Sequence, residues 1–312
     1  MASKNRAALI NKVLKVVKKH FKPSVVPKDR SLLEHLLFAC CLENSPYDAA
    51  ERVFQSLKSD YFDWNEVRVS TVRELAEALK PLNDPGEAAT RVKRILQSVF
   101  ETHYSFDVEQ LKKQNIGAAV KHLEKFNGST PFVVAFVTQH ALGGHSIPVN
   151  TGLLESMRIV GVVSDAEAAK GQVPGLERTV PKSKGSEVGS QLHLLGVEMH
   201  RSPYGPAIRK LLLEIEPGCK DNLPKRPSKA EEAAAAALAT DGAPSIAPTK
   251  PPEPVKKGTT KKPIVEPAPA AKARSTKKPE KKVLKKKAKP AAVASAGKKL
   301  SSSKRLTKRK PR

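Results

Sequence analysis

FNGSTPFVVAFVTQHALGGHSIPVNT, residues Phe126 to Thr151, contains two helix starts separated by one apolar helix. Gly128 allows a tight turn after Phe126, and Ser129 or Thr130 supplies an N-cap hydroxyl. Pro131 suits the first helical position, where its missing N–H costs nothing. The β-branched run from Phe132 to Val137 is compatible with a strand, but its place behind the turn and Pro131 predicts a helix. After the loop around Gly143 and Gly144, Asn150 is positioned to cap the next helix. A turn of this kind leaves backbone N–H groups and a helix N-terminus free for an anion. Gly128, Ser129 and Thr130 are therefore a candidate phosphate clamp.

The flanking sequence reads as helices. Leu9, Val13, Val16 and Val17 follow a helical period, and Leu32 to Leu42 is an apolar run too long for a typical strand. Ser45-Pro46 predicts a cap and first position for a helix carrying Ala49, Val53, Phe54 and Leu57 on one face. Thr71 with Glu74, and Ser164 with Glu167, have capping-box spacing. Asp84-Pro85 opens a helix with Ala88, Val92, Ile95, Leu96 and Val99 on its inner face, and Asp107 with Gln110 is a weaker cap for a short helix through Lys113. A helix over Ile116 to Phe126 leads into the turn. Leu153, Leu154, Met157 and Val160 line the helix after Asn150, which Gly161 closes. A polar loop from Gly171 to Lys184 precedes a helix with Val188, Leu192, Leu195 and Met199. Ala207 to Glu214 is the last. The globular part is expected to be all-α, with ten or so short helices over residues 1–225.

The chain has 312 residues and a formal charge of +25. From Arg226 to Arg312 there are 25 basic and 6 acidic residues, leaving +6 for the first 225. This Lys-, Ala- and Pro-rich stretch has few apolar side chains to offset the entropy of ordering, so residues 226–312 are expected to be a disordered basic tail. Lys285, Lys286, Lys287 and Lys289 mark its densest run. Such charge attracts polyanions, and double-stranded DNA is the expected partner; without an amphipathic apolar face, a membrane is not. The three cysteines, Cys40, Cys41 and Cys219, suit buried thiols in a reducing compartment rather than a disulfide framework. No run is apolar enough for a membrane span, and the N-terminus lacks the features of a secretory signal.

LLEHLLFACCLENSPYDAAERVF, then FNGSTPFVVAFV, then IPVNTGLLESMRIVG, in that order, resemble the helix-hairpin-helix DNA glycosylases of the endonuclease III family. The likeness covers about residues 8 to 222. It implies an all-α, two-lobed fold whose hairpin grips a DNA strand beside a cleft that accepts a rotated-out base. It further implies a place in base-excision repair and a compartment containing DNA: nucleoid, nucleus or cytoplasm.

The departures from the family pattern fall on the chemistry. Phe132 occupies the place of the Lys with which bifunctional members attack the sugar. Asn150 occupies the place of the Asp that supports positive charge on the sugar and activates water. A phenyl ring has no lone pair to give, and an amide has neither charge nor useful basicity. Asn150 caps a helix as well as Asp does, so it is expected to be structural. His140, His145 and Glu155 are the neighbours in sequence able to substitute. Glu43 falls at the family's wedge position, where an acidic group faces phosphates poorly. Of the four cysteines that hold an iron–sulfur cluster in many members, only Cys219 lies in the right region, so no cofactor or metal is expected. The expected function is DNA binding with weak or no glycosylase or lyase activity. The alternatives are an active monofunctional glycosylase and a helical protein-interaction scaffold with a basic tether.

Overall fold

A computed structural model describes residues 3–27 and 29–226. The expected tail, with Lys285, Lys286, Lys287 and Lys289, lies outside the described residues. Those described form thirteen α-helices and three short 3₁₀ helices, with no strand among them. In order the α-helices are α1 (Ser3–His20), α2 (Leu32–Leu42), α3 (Tyr47–Asp60), α4 (Trp64–Val69), α5 (Val72–Ala78), α6 (Pro85–His103), α7 (Ile116–Leu123), α8 (Pro131–His140), α9 (Thr151–Ile159), α10 (Asp165–Ala169), α11 (Leu176–Thr179), α12 (Gly185–Arg201) and α13 (Pro206–Ile215). No helix among them is long and apolar enough to cross a membrane.

Several ends are set by the expected local chemistry. Thr71 with Glu74 and Ser164 with Glu167 form capping boxes, and Ser31 with Glu34 adds a third at α2. Ser45 departs from expectation. Pro46 occupies the cap position of α3 and no side chain caps it. The Ser45 hydroxyl instead accepts from the Asn83 N–H at 3.0 Å, a long-range bond. The helix expected over residues 116–126 ends at Leu123, and α4 is an additional element whose cap is Asp63, accepting from the Glu66 N–H.

The apolar faces close two cores. One is built on α2 to α8, with Phe38, Phe54, Ile95 and Phe136 at its centre. The other unites α1 with α9 and with α11 to α13 through Ile10, Val17, Leu153, Met157, Leu176, Leu195 and Leu212. The chain therefore starts in the second lobe, makes the first, and returns. Ion pairs hold the return: Lys12 with Glu216 at 2.8 Å, and Lys19 and His20 with Glu214 at 2.7 and 2.9 Å. Leu192, Leu195 and Leu212 are buried in this lobe, while Leu211 packs partly exposed against it.

The crossing of α9 and α12 is unusually close. A Cβ at Gly152 would lie 2.0 Å from the Gly196 carbonyl oxygen, and one at Gly196 would lie 1.9 Å from Asn150 Oδ1. Only hydrogen atoms fit, and that proximity brings the N-terminus of α9 against the middle of α12.

Candidate nucleic-acid interface and the closed seam behind it

Residues 124–130 join α7 to α8 as a tight hairpin. The Ser129 N–H donates to the Phe126 carbonyl at 3.0 Å. Gly128 has φ +98°, and a Cβ there would meet the Arg91 carbonyl oxygen at 2.9 Å and Arg94 Cβ at 3.0 Å. Glycine is thus required both by the backbone conformation and by packing against α6. Thr130 caps α8: its Oγ1 accepts from the Val133 N–H at 3.2 Å and donates to Glu43 Oε2 at 2.9 Å. The amides of Gly128, Thr130 and Phe132 make none of the hydrogen bonds found among the described residues, and Ser129 Oγ is buried without a partner. The turn opens on a hollow of about 510 Å³ whose rim carries His145 and Lys170, with Glu124 opposite in charge. Free amides at a helix N-terminus beside a lysine can receive a phosphate.

Glu43 lies inward beneath this turn. It is 7 % exposed, hydrogen-bonded to Thr130, and 3.4 Å from Arg91 Nε. Burial raises its pKa, and the Arg91 charge and the Thr130 bond oppose that rise. A side chain so placed supports the hairpin from below.

Behind the hairpin the two lobes meet, and here the two positions singled out in the sequence come together. Phe132 is 2 % exposed and Asn150 is 1 % exposed. His193, on α12, connects them. Its ring lies 5.4 Å from that of Phe132, and on another side the edge of Tyr47 approaches it at 5.1 Å. Asn150 Nδ2 lies 3.3 Å from His193 Nδ1 and 3.4 Å from the His193 carbonyl oxygen, while Asn150 Oδ1 accepts from the Leu153 N–H at 2.9 Å. His193 Nε2 lies 2.9 Å from the Ser45 carbonyl oxygen.

These contacts select one arrangement of protons. A carbonyl can only accept, so Nε2 carries the hydrogen and donates to Ser45. Nδ1 then presents its lone pair to the Asn150 amide, which donates. Burial pushes His193 down to about 4, only partly opposed by the Ser45 bond, so the ring is neutral at ordinary pH. Every polar atom of the Asn150 side chain is used: the oxygen caps α9 and the nitrogen holds His193.

A polar strip continues along the seam. Thr151 Oγ1 donates to Asn44 Oδ1 at 2.9 Å, Asn44 Nδ2 donates to Asp84 Oδ2 at 3.3 Å, and His200 Nε2 meets the same Asp84 oxygen at 2.9 Å. Asp84 is thus linked to Thr151, at the start of α9, through Asn44. The other residues considered as substitutes lie apart. The His140 ring lies tilted against Phe136 at 4.4 Å, and its pKa is held at about 4 by burial and by His35. His145 Nε2 bonds the Glu177 carbonyl at 2.8 Å, and Glu155 pairs with Arg158 at 2.6 Å. Among the described residues no carboxylate bonds the Asn150 side chain. Sequence reasoning missed His193, Asn44 and Asp84 as partners of this site. His193 sits between apolar neighbours on α12 and carries no local signal.

The residues present do not fit an iron–sulfur cluster. Cys40 and Cys41 are buried in the first lobe, and Cys219 is buried in the second with its Sγ directed at the Leu212 carbonyl. Burial raises all three thiols, Cys41 to about 12, which disfavours the thiolates a cluster needs.

Together, fold and site define a class: a two-lobed, all-α chain with a helix–hairpin–helix element at the lobe junction. Its relatives are distant. No family model matches the chain. It is 22% identical over 154 residues, 49% of its length, to a DNA glycosylase of Arabidopsis thaliana that is so named provisionally. Those residues span 53% of that protein, so the chain matches about half the length of this curated relative. Among solved structures, a non-covalent endonuclease III–DNA complex overlaps with 14% identity and TM-score 0.47, covering 72% of this chain and 100% of that one. A thermostable thymine-DNA glycosylase overlaps with 15% identity and TM-score 0.43, covering 65% and 89%.

Proposed function

We propose that this chain is a member of the helix-hairpin-helix DNA glycosylase superfamily that binds DNA without breaking the glycosidic bond. The observation that carries the reading is the closure of the seam. Phe132 and Asn150, at the family's amine and carboxylate positions, are 2 % and 1 % exposed and held by His193. A rotated-out nucleotide needs an open pocket beside a nucleophile or a charge, whereas Phe132 and Asn150 are buried with no carboxylate bonded to Asn150 among the described residues. The hairpin amides at Gly128 and Thr130 remain suited to a phosphate, and the basic residues of the tail add affinity indifferent to sequence. In this reading the protein acts where base-excision repair acts, as a binder of duplex DNA.

Two measurements test it. If hairpin and tail together neutralise ~8 phosphates, log affinity for a duplex falls against log salt with a slope of about −7. Removing residues 227–312 flattens that slope; an unchanged slope removes the tail from the interface. Incubation with a panel of duplexes carrying damaged bases releases none. Base release that Asn150→Ala abolishes would establish the alternative, an active monofunctional glycosylase.

A further inference from the structure

The first lobe carries a second surface, at the opposite end of α2 from the hairpin. Glu43, which caps the C-terminal end of α2, touches the hairpin through Thr130, whereas Glu34, in its first turn, lines the other surface. They lie nine positions apart along the helix, ~14 Å at ~1.5 Å per residue. This surface is a hollow of about 280 Å³ between the end of α3 and the start of α4. Leu57, Tyr61, Phe62 and Trp64 give it an apolar wall. Trp64 is fixed by stacking on Phe54 at 6.1 Å, whereas Phe62 is 95 % exposed.

The charge around the hollow is opposite to that of the chain. The protein carries +25 overall, yet Asp60, Asp63, Glu66 and Glu74 cluster here. The Tyr61 phenol is pushed up by burial and then by Glu74, Glu66 and Asp60. Lys58 is engaged by Glu34 at 2.7 Å. Arg68 is drawn away, its guanidinium lying 4.4 Å from the centre of the Phe100 ring. Phosphate is repelled from such a corner, and a cationic partner is attracted. The size fits one bulky side chain; small-molecule sites begin at roughly 300 Å³. Exposed aromatic residues around a single-side-chain pocket are the usual anchors of a protein contact.

We propose that the Tyr61–Trp64 hollow docks a protein segment that inserts one aromatic or large aliphatic side chain and flanks it with lysine or arginine. Because it lies a helix length from the hairpin, such a partner binds without displacing DNA.

Trp64 is the only tryptophan, so its emission reports on this hollow alone. The full chain is titrated with three short peptides: a phenylalanine between two pairs of lysines, the same with glutamates for lysines, and the lysine peptide with alanine for phenylalanine. The lysine–phenylalanine peptide shifts Trp64 emission saturably, with affinity at least tenfold above either counterpart. Phe62→Ala and Asp60→Lys, both at exposed positions, each weaken it at least fivefold with an unchanged circular dichroism spectrum. Equal binding of the glutamate peptide overturns the proposal, as does indifference to both substitutions. A Trp64 response to short duplex DNA makes the surface a nucleic-acid contact instead. Self-association that Phe62→Ala abolishes makes it an interface between copies.

Discussion

Replacing Asn150 by Asp puts a carboxylate into the seam, and the geometry there predicts destabilisation. Asp retains the cap on Leu153, since Asp and Asn cap helices about equally. The other end of the amide is the difficulty. Asn150 Nδ2 donates toward His193 Nδ1 at 3.3 Å and lies 3.4 Å from the His193 carbonyl oxygen. An oxygen there meets two acceptors and carries a negative charge at a site 1 % exposed. A lost buried hydrogen bond costs about 1–3 kcal/mol, and more where a charge is left. About 3 kcal/mol at pH 8 lowers the midpoint of thermal unfolding by roughly 6–12 °C for a domain of this size.

The pH dependence makes the prediction specific. In the wild type His193 is held at about 4, below the ordinary 6.5. Between those values the unfolded chain binds the proton and the folded chain does not, so wild-type stability rises with pH across this window. A difference of about 2.5 units corresponds to about 3 kcal/mol. The carboxylate introduced by Asn150→Asp favours the imidazolium and raises the folded value of His193. With that value at or above the ordinary one, the slope between pH 4 and 6.5 flattens, and stability then falls as pH increases through the new value. Urea unfolding of both proteins at pH 5, 6, 7 and 8 is the assay. A variant as stable as wild type at pH 8, with the wild-type acid slope, would refute the proton arrangement assigned to His193. Base release by Asn150→Asp would show that the seam opens.

Other perturbations read other parts of the same junction. Gly196→Ala places a methyl 1.9 Å from Asn150 Oδ1 and 2.7 Å from the Leu153 nitrogen, so it should cost at least about 3 kcal/mol in urea unfolding; a cost below about 1 kcal/mol would contradict the close crossing of α9 and α12. Glu43→Gln removes a carboxylate whose pKa burial has raised. Between its ordinary and raised values the folded state binds more protons, so the wild type loses stability as pH rises through that window, and the variant should not. It also removes a negative charge from beneath the hairpin, so duplex affinity at low salt should increase severalfold.

Much of the fold could be read locally because its signals are local. Thr71 with Glu74, Ser164 with Glu167, Thr130 before Pro131, and Asn150 ahead of Leu153 each satisfy orphan amides within three residues, and each caps a helix as expected. Ser45 shows the limit of that logic. Its hydroxyl has the right chemistry for a cap, but the long-range Asn83 amide uses it. The seam was illegible for the same reason. His193, Tyr47 and Phe132 come from three different helices, and no periodicity indicates that they meet. Asn150 could be recognised as a cap from sequence, but its second function, donating to a neutral histidine, needed the fold.

That second function ties positions 132 and 150 together. Phe132 and Asn150 are not independent, because both meet His193. A lysine at 132 alone would put a cation beside a buried imidazole held neutral, and an aspartate at 150 alone would put an anion against its lone pair. Installed together, the two charges offset one another across the same ring. The double variant should therefore be less destabilised than the sum of the single variants, with a favourable coupling of about 1–3 kcal/mol in a cycle measured by urea unfolding at pH 8. If the proposed reading holds, the double variant releases no base, because the seam stays closed around His193. Additive costs would mean that the two positions do not interact through His193. Strand cleavage by the double variant would mean that the closed seam is no obstacle to a nucleotide.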